Sequence, residues 1–294
     1  MSILLLGAQG QVGQALIEPL TSLSSSGSVV AVGRSQLDLT DLGAIKTKIA
    51  ALQPQLIVNA AAYTAVDKAE SEPELAYRIN AEAPGVIAQS AAECGAALVH
   101  ISTDYVFSGQ IGSPRCETDA TGPLSVYGKT KLAGEEAIRQ ALTSHIILRT
   151  AWVYGAPGKG NFLKTMLRLG KAQREVNVVA DQVGSPTWAS DLAAAIAQLS
   201  KNAAALPGTY HYTNSGVASW YDFAVAIFQE AKALGLPLKV QTVNPMTTAD
   251  YPTPAQRPAY SVLNCQKVAR ILGHSAPHWR QSLRAMLTDY TEIL

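Results

Sequence analysis

Residues 3–13 are Ile3-Leu4-Leu5-Leu6-Gly7-Ala8-Gln9-Gly10-Gln11-Val12-Gly13. The four apolar residues predict a buried parallel strand, and the chain that follows the glycines predicts a helix to about Leu23. Such a turn needs glycine where the backbone bends tightly, where it approaches a diphosphate, and where helix meets strand. The diphosphate is then bound at the helix N-terminus. The stretch therefore predicts a dinucleotide-binding turn at Gly7, Gly10 and Gly13, with a simple strand-to-helix turn as the alternative.

Four further apolar runs continue the strand and helix alternation, at 28–32, 56–62, 97–101 and 145–149. Between the second and third of these runs, an alanine-rich helix is predicted to extend to Glu93 with an interruption near Pro84. The alternation predicts an α/β fold with a doubly wound parallel Rossmann sheet. Ligands of such sheets collect at the carboxyl ends of the strands. We therefore expect Gly10, Ala62 and Thr103 to face one crevice.

The character of the sequence changes after Thr150, where the chain enters a glycine-rich loop at 155–160. Residues 1–151 are predicted to form a dinucleotide-binding domain that is completed by about 186–214. Residues 152–185 and 215–294 are predicted to form a smaller C-terminal α/β lobe that binds the substrate.

Composition excludes several classes of protein. Hydrophobic residues make up 48% of the chain and charged residues 15%, which fits a well-buried enzyme and argues against disorder. The net charge of +1, without a long basic block, predicts no nucleic-acid partner and no membrane partner. Three cysteines without a CxxC pair indicate neither a disulfide framework nor a zinc site. The opening apolar run is too short to span a membrane, so we expect a soluble cytoplasmic protein.

A candidate acid–base pair lies in the segment Ser125-Val126-Tyr127-Gly128-Lys129-Thr130-Lys131. On a helix, Tyr127 and Lys131 share one face because they are four residues apart. A neighbouring ammonium favours the phenolate and is expected to lower the phenol pKa from about 10 toward neutrality. Thr103 supplies a small hydroxyl for a substrate oxygen, whereas His100 is predicted to be a core residue. The three residues predict carbonyl–alcohol interconversion, against the alternative of a surface helix with a solvated lysine.

The end of the second strand predicts the cofactor. An acidic residue there binds the 2′-hydroxyl of the adenosine ribose, whereas arginine can bind a 2′-phosphate. Arg34 is present and the acid is absent, which favours NADPH over NADH, although NADH stays possible. The alternative is that Arg34 is a solvated loop cation. The Asp38-Leu39 turn lies where an adenine edge could be met.

A stiff loop near the C-terminus carries Arg257 between Pro252, Pro254 and Pro258. A rigid loop loses little conformational entropy on binding, so Arg257 is a candidate to bind phosphate or sugar oxygens. The alternative is an ion pair between Arg257 and a carboxylate across the two predicted lobes.

The motifs with the most specific patterns are GAQGQVG at 7–13, VNAAAYTAVDKAES at 58–71, STDYVFSG at 102–109, YGKTKLAGE at 127–135, RTAWVYG at 149–155 and YPTPAQRP at 251–258. Together they resemble the extended short-chain dehydrogenase/reductase family over essentially the whole chain. The resemblance implies reduction of the 4-keto group of dTDP-4-dehydro-L-rhamnose by hydride from NAD(P)H. The expected partner is therefore a dTDP-sugar substrate, and the expected assembly is a monomer or homodimer.

The same resemblance implies a role for each candidate residue. Tyr127 would give a proton to the substrate oxygen, Lys131 would hold the nicotinamide ribose, and Thr103 would bind the reacting oxygen. The implied cofactor contacts are Gly10, Gln11 and Val12 for the diphosphate, Asp38 and Leu39 for adenine, and Ala62, Tyr63 and Thr64 for the inner ribose. The implied substrate contacts, besides Thr103, are Asp104, Trp152 and Arg257.

Two positions depart from the family pattern. Gly33-Arg34 stands where many relatives carry an acid, and this favours the phosphorylated cofactor. Ala15 and Ser190 leave no carboxylate cluster for a metal-bridged dimer, so we predict no metal.

Two other functions stay open. A nucleotide-sugar epimerase or dehydratase would use the same fold, but a dehydratase needs an acid–base pair, and here Asp104 is followed by Tyr105 rather than a second acid. A non-catalytic regulatory subunit would use the reductase fold as a binding module. Such a subunit has no need to retain Thr103, Tyr127 and Lys131 together.

Overall fold

The computed structural model describes residues 1–24, 29–110, 112–158 and 160–293, with side chains described to residue 289. Ser28, which begins the second predicted run, lies outside these residues. The strands are β1 (Ile3–Leu6), β2 (Val29–Val32), β3 (Leu56–Asn59), β4 (Ala97–Thr103), β5 (His145–Thr150), β6 (Val153–Tyr154), β7 (Glu175–Val179), β8 (Val183–Gly184), β9 (Thr187–Trp188), β10 (Gly208–His211), β11 (Ala218–Ser219) and β12 (Thr242–Met246).

The helices are α1 (Gln11–Leu23), α2 (Leu42–Leu52), α3 (Val66–Ala69), α4 (Pro73–Tyr77), α5 (Ala83–Cys94), α6 (Val126–Ala141), α7 (Phe162–Ala172), α8 (Ala189–Ser200), α9 (Trp220–Ala233), α10 (Gln266–Leu272) and α11 (Trp279–Ile293). Within the described ranges, no helix is both long enough and apolar enough to cross a membrane.

The central sheet has the order β10-β5-β4-β3-β1-β2 among the described strands. Every neighbouring pair in it is parallel. Parallel strands need crossover connections, and helices supply them between the successive strands β1 to β5. This confirms the predicted doubly wound Rossmann sheet.

Alternating side chains of β1 enter different cores, because successive residues of a strand point to opposite faces of the sheet. Ile3 and Leu5 pack with residues of α1 and α8, whereas Leu4 and Leu6 pack with residues of α2, α5 and α6. All four side chains are at most 1% exposed, and each such burial contributes roughly 1.5–3 kcal/mol. The apolar run at the N-terminus therefore supports helices on both faces of the sheet.

A further core forms from later segments of the chain. It joins residues of α7, α9 and α11 with the parallel pair β7 and β12, and includes Tyr154, Phe223 and Trp279. β10 pairs with β5, so the chain returns to the central sheet at residue 208. The division into a cofactor domain and a substrate lobe stays a prediction.

The segment before α5 is helical but irregular. The irregularity is a π-helical turn at Arg78–Glu82, which precedes Pro84. Pro84 lies in the first turn of α5, although the backbone N–H of Ala83 before it still completes the π-helical turn. The interruption expected near Pro84 is therefore this π-helical turn: the residues on both sides stay helical, and proline has no N–H to donate to a carbonyl of the preceding turn. The turn places the side chain of Asn80 in the protein interior.

Glycine lets α6 approach its neighbours closely. A Cβ added at Gly134 would clash with the backbone carbonyl oxygen of Asn80, and one added at Gly128 would clash with that of Tyr105. Backbone atoms cannot move aside as a flexible side chain can. The helix that carries Tyr127 and Lys131 therefore lies against the π-helical turn at a distance that only glycine permits at position 134.

Gly134→Ala is expected to lower the free energy of unfolding by about 1–3 kcal/mol, because the added methyl overpacks a backbone contact. Gly43→Ala is the matched control in α2, where an added Cβ would lie 3.4 Å from the nearest side-chain atom, Asp41 Oδ1. There the better helix propensity of alanine should raise stability by up to about 1 kcal/mol. Denaturant titration of both variants measures the difference, and equal stability of the two would contradict the close packing of α6.

Candidate active site

The glycine turn fits a dinucleotide diphosphate. Gly7 has a φ of 81°, and a Cβ there would lie 2.6 Å from the backbone nitrogen of Ala61. A Cβ on Gly13 would clash with the carbonyl oxygen of Gly7. Gly10, at the N-cap of α1, has no side chain to occupy the first N–H groups of the helix. The helix N-terminus therefore offers backbone donors and a partial positive charge beside a cradle that a side chain would fill.

The side chain of Gln11 connects α1 to the segment after β5. Its Nε2 donates to the carbonyl oxygen of Val153 at 3.0 Å, and its Oε1 accepts from Asn161 Nδ2 at 3.2 Å. Val12 lies partly buried in the next position of the helix. Because the amide of Gln11 is already paired, only its backbone N–H is placed to face a diphosphate.

At the end of β2, Arg34 is exposed and pairs with Asp38, with 3.3 Å between Arg34 Nε and Asp38 Oδ2. The backbone N–H of Thr40 is the main cause of the lowered pKa of Asp38, to which Arg34 also contributes. Leu39 is 7% exposed. An exposed pair of this kind is held weakly, so the Arg34 guanidinium can exchange Asp38 for another anion.

Thr103 ends β4 and Asp104 follows it, and both residues are buried. The Thr103 hydroxyl donates to Asp104 Oδ1 at 3.0 Å and accepts the backbone N–H of Tyr105 at 3.2 Å. Asp104 Oδ2 has no hydrogen-bond partner among the described residues. Burial raises the pKa of Asp104 to about 6. A buried carboxylate oxygen without a partner is costly, and a hydroxyl or amide donor from a ligand would satisfy it.

The ring of Tyr127 packs edge to face with that of Tyr105, with 5.5 Å between the ring centroids. Burial raises the pKa of Tyr127 to about 12; a hydrogen bond with Thr103 lowers that pKa and the charge of Asp104 raises it. The prediction that Lys131 lowers the pKa of the Tyr127 phenol is therefore wrong. Its physical reason is that burial disfavours the phenolate, while the ammonium group of Lys131 is bound elsewhere. The phenol stays protonated at neutral pH.

Lys131 is 1% exposed, which excludes the alternative of a solvated surface lysine. Its Nζ donates to the carbonyl oxygen of Ile101 at 2.6 Å and lies 3.2 Å from His100 Nε2. Burial lowers the pKa of Lys131 to about 8, and the charge of Glu135 acts in the opposite direction. His100 is fully buried, as predicted from the sequence.

Glu135 is a residue that the sequence analysis missed. Its buried carboxylate accepts from Ser102 Oγ at 2.6 Å, from Arg149 Nε and Nη2 at 2.8 and 2.7 Å, and from Arg139 Nη2 at 2.6 Å. These contacts fix α6 on β4 and β5. The position four residues after Lys131 was the available signal, because it places Glu135 on the same helix face.

Asn80, in the π-helical turn, was also missed. Its Oδ1 accepts the backbone N–H of Tyr63 at 2.9 Å, and its Nδ2 donates to the Tyr63 carbonyl at 3.1 Å and to Thr130 Oγ1 at 3.2 Å. The loop that carries Ala62, Tyr63 and Thr64 is thereby tied to α6. The Tyr63 hydroxyl donates to Glu72 Oε2 at 2.7 Å, so this side chain is held away from the glycine turn by a partner of its own.

Trp152 follows β5 with a φ of 49°, which is uncommon for a residue other than glycine. Its indole stacks on Trp220 with 3.5 Å between ring centroids and an angle of 4° between the rings. The indole also meets Gly184, where an added Cβ would lie 2.6 Å from Cε2 of the Trp152 ring. The two indoles form a flat aromatic surface beside the carboxyl end of β5.

Arg257 pairs with Asp67, so the alternative noted for this arginine is what the structure contains. Arg257 Nη2 donates to Asp67 Oδ2 at 2.7 Å and Nη1 donates to Oδ1 at 2.9 Å. The same guanidinium donates to Thr253 Oγ1 at 2.6 Å. The hydrogen bond that Arg257 donates to Asp67 is the main cause of the lowered pKa of Asp67. Binding of substrate by Arg257 stays a prediction.

The parallel register places several predicted residues at one edge of the sheet. Leu6 and Asn59 are register partners at the carboxyl ends of β1 and β3, and Asn59 is the register partner of His100, three residues before β4 ends at Thr103. The glycine turn and the Ala62 loop follow the ends of β1 and β3, and α6 adds Tyr127 and Lys131. A hydride donor, a proton donor and a hydroxyl can meet there, which is the requirement of carbonyl reduction.

Metal and disulfide chemistry find no support in the described residues. No group of three or more His, Cys, Asp or Glu side chains is placed there to hold a metal ion. Cys94, Cys116 and Cys265 are free thiols.

The raised pKa of Tyr127 gives an expected titration. The difference in phenolate absorbance between the protein and Tyr127→Phe should stay near zero up to pH about 10, where an ordinary tyrosine is half ionised. Tyr77→Phe, at a residue that is 48% exposed, is the control for the loss of a tyrosine elsewhere in the chain. A Tyr127 signal at neutral pH would contradict the effect of burial.

Comparison with known proteins identifies the family. A family model described as RmlD substrate binding domain matches residues 1–292. The dTDP-4-dehydrorhamnose reductase of Escherichia coli K12 is 44% identical over 296 residues, an alignment that covers 98% of each chain.

Solved structures agree with this match. A Bacillus anthracis dTDP-4-dehydrorhamnose reductase in complex with NADP superposes with a TM-score of 0.90 at 37% identity, covering 98% of this chain and 100% of that one. The Clostridium acetobutylicum protein of the same name gives a TM-score of 0.89 at 40% identity, with 99% and 100% covered. The chain therefore belongs to the dTDP-4-dehydrorhamnose reductase family.

Proposed function

We propose that this protein is a cytoplasmic reductase that converts the 4-keto group of dTDP-4-dehydro-L-rhamnose to the hydroxyl of dTDP-L-rhamnose with NADPH. The observation that carries the proposal is the hydrogen bond between Tyr127 and Thr103 at the carboxyl end of β4, with the buried Lys131 one helical turn after Tyr127. Membership in a family whose relatives bear the reductase name supports the substrate. The NADP complex of the Bacillus anthracis relative supports the cofactor.

NADPH bound at the glycine turn supplies the hydride. Gly7, Gly10 and Gly13 shape the cradle for its diphosphate, and the backbone N–H groups of Gln11 and Val12 face it. Arg34 takes the 2′-phosphate by exchanging its weak contact with Asp38. The adenine lies against Asp38 and Leu39, and the inner ribose against Ala62, Tyr63 and Thr64.

Tyr127 donates the proton. Its raised pKa keeps the hydroxyl protonated until negative charge develops on the substrate oxygen, and this is the state that a general acid requires. Thr103 holds the same oxygen by a hydrogen bond. Lys131, buried one helical turn away, donates one of its N–H groups to the Ile101 carbonyl, and its other N–H groups would bind the nicotinamide ribose and stabilise the phenolate once it forms.

The sugar nucleotide is bound between Asp104, which follows β4, and two residues of the predicted smaller lobe (152–185 and 215–294), Trp152 and Arg257. The unpartnered Oδ2 of Asp104 accepts a sugar hydroxyl. The Trp152 indole, held in place by its stacking on Trp220, lies beside the sugar ring. Arg257 reaches substrate oxygens by leaving Asp67, and those oxygens replace the two hydrogen bonds of this bidentate pair.

The competing functions fit these residues less well. A dehydratase needs a second acid beside Asp104, and Tyr105 occupies that position. A regulatory subunit would have no use for a fully buried lysine beside a tyrosine, because burying a charged group is costly.

The assay of NADPH oxidation with the keto sugar tests the proposal. Tyr127→Phe should bind NADPH normally and lose turnover by about 10²–10⁴-fold, because the proton donor is removed. Tyr77→Phe is the control and should keep full turnover. Unchanged turnover in Tyr127→Phe would remove this residue from the mechanism. Turnover that uses only a tightly held NAD⁺ would point to the epimerase or dehydratase.

Cofactor choice is tested by Arg34→Ala. NADPH binding should weaken roughly tenfold or more, because a charge-assisted hydrogen bond is worth about 1.5–3 kcal/mol, while NADH binding should change little. Lys46→Ala, which removes an exposed cation from the nearby helix α2, is the matched control. An unchanged ratio of the two dissociation constants would show that Arg34 does not bind the phosphate.

A further inference from the structure

A chain of buried polar contacts runs from β3 to Lys131. The backbone N–H of Ala61 donates to Asn59 Oδ1 at 3.1 Å, and Asn59 Nδ2 lies 3.1 Å from His100 Nδ1. His100 Nε2 lies 3.2 Å from Lys131 Nζ. Asn59 and His100 are 0% exposed and Lys131 is 1% exposed. No water can substitute freely for a mismatched partner in such a site, so each donor must face an acceptor.

The chemistry of the first contact fixes the orientation of Asn59. A backbone N–H can only donate, so the Asn59 atom that faces Ala61 is the oxygen. The amide nitrogen, which can only donate, therefore faces His100 Nδ1. Nδ1 must accept, and it carries no hydrogen.

The state of His100 follows. Burial and the neighbouring charge of Lys131 lower the pKa of His100 well below its ordinary value, so the ring is neutral. A neutral imidazole carries one hydrogen, and with Nδ1 as the acceptor this hydrogen lies on Nε2. The Nε2–H group then points at Lys131 Nζ.

An ammonium group has three donors and no lone pair, so it cannot accept the Nε2–H of His100. An uncharged amine can accept it, and the amine still donates to the Ile101 carbonyl at 2.6 Å. The contacts around Nζ are therefore complete when Lys131 is uncharged. When Lys131 is protonated, the Nε2–H of His100 faces an ammonium group that can only donate.

We propose that Asn59 and His100 are positioning residues of the reduction: Asn59 holds His100 with its hydrogen on Nε2, and His100 favours the release of a proton from Lys131 toward the Tyr127 phenolate. This inference rests on the proposed function. When Tyr127 gives its proton to the substrate oxygen, a phenolate remains. One N–H bond of the Lys131 ammonium then breaks and its proton restores the phenol. The lone pair left on Nζ accepts the Nε2–H of His100, and solvent returns the proton to Lys131 before the next turnover.

Other groups around Lys131 also affect its pKa. Burial lowers the pKa of Lys131, while Glu135, one turn further along α6, raises it. Arg149 and Arg139 bind both oxygens of Glu135 and reduce its effect. Tyr127 lies one turn before Lys131, and its phenolate favours the ammonium until the proton has moved. His100 is the group facing Nζ whose contribution depends on which nitrogen carries the hydrogen.

Nitrogen NMR of the full chain labelled at histidine, without cofactor or substrate, tests the first part. The His100 signals are assigned by their loss in His100→Gln. At neutral pH we expect Nε2 to be protonated and Nδ1 to be unprotonated. A hydrogen on Nδ1 would overturn the proposal, and this reading is independent of reductase activity.

Titration of Lys131, followed by carbon NMR of labelled lysine side chains in the same protein, tests the second part. His100→Phe removes the donor and should raise the pKa of Lys131 by about one unit, because a net hydrogen bond is worth about 1 kcal/mol. His100→Gln, whose amide can still donate, should keep the wild-type value. An unchanged pKa in folded His100→Phe would overturn the proposal.

In the activity assay, the same two variants distinguish a positioning role of His100 from a purely structural role. In His100→Phe, kcat should fall and its pH profile should move to higher pH, with KM changed less than kcat; His100→Gln should restore both. If the wild-type protein has no reductase activity, the proposed function fails while the two NMR readings still decide the state of His100 and Lys131. If His100→Phe does not fold, the nitrogen spectrum of the wild type decides.

Discussion

The buried carboxylate of Glu135 is the constraint on which the site depends. Two arginines and a serine bind it, and each comes from a different part of the structure: Arg139 from α6 itself, Arg149 from β5 and Ser102 from β4. Removing one partner of a buried ion pair typically costs about 3–5 kcal/mol, because the other charge is left without compensation. The network therefore fixes the height and rotation of α6 on the sheet. Tyr127 lies two turns and Lys131 one turn before Glu135 on the same helix, so the network also fixes their positions.

The protein interior then determines the charge on these residues. Burial makes ionisation costly for every group near the sheet edge: the pKa of Tyr127 and that of Asp104 rise, and those of Lys131 and His100 fall. All four shifts favour the neutral form. At neutral pH a pKa of about 8 leaves Lys131 mostly protonated and a pKa of about 6 leaves Asp104 mostly ionised, whereas Tyr127 and His100 are neutral. The proton donor is therefore uncharged until hydride and proton are transferred, and the negative charge that the site must stabilise appears only then.

The sequence was sufficient for the fold. Ile3–Leu6 and the glycines after it specify a strand, a tight turn and a helix by local chemistry alone, and the following strands repeat the pattern. The placement of Tyr127 and Lys131 on one helix face also followed from spacing. The pKa of Tyr127 was wrong because it depends on burial and on where Nζ is bound, which spacing does not specify. Asn59, Asn80 and Glu135 were missed because each acts through residues distant in the chain, 41, 50 and 14 positions away in their buried contacts. The two readings of Arg257 could not be separated until Asp67 was located.

The backbone conformation at Trp152 restricts which residues can occupy this position. Its φ of 49° suits glycine, yet glycine would delete the indole that stacks on Trp220. Asparagine tolerates a positive φ, but it has no apolar aromatic ring to stack on Trp220. No standard residue at position 152 both adopts this φ without strain and supplies a ring that stacks on Trp220. Trp220, which stacks on this indole, is the neighbour that can be varied with Trp152 in place, whereas any side chain at Gly184 would collide with the Trp152 ring.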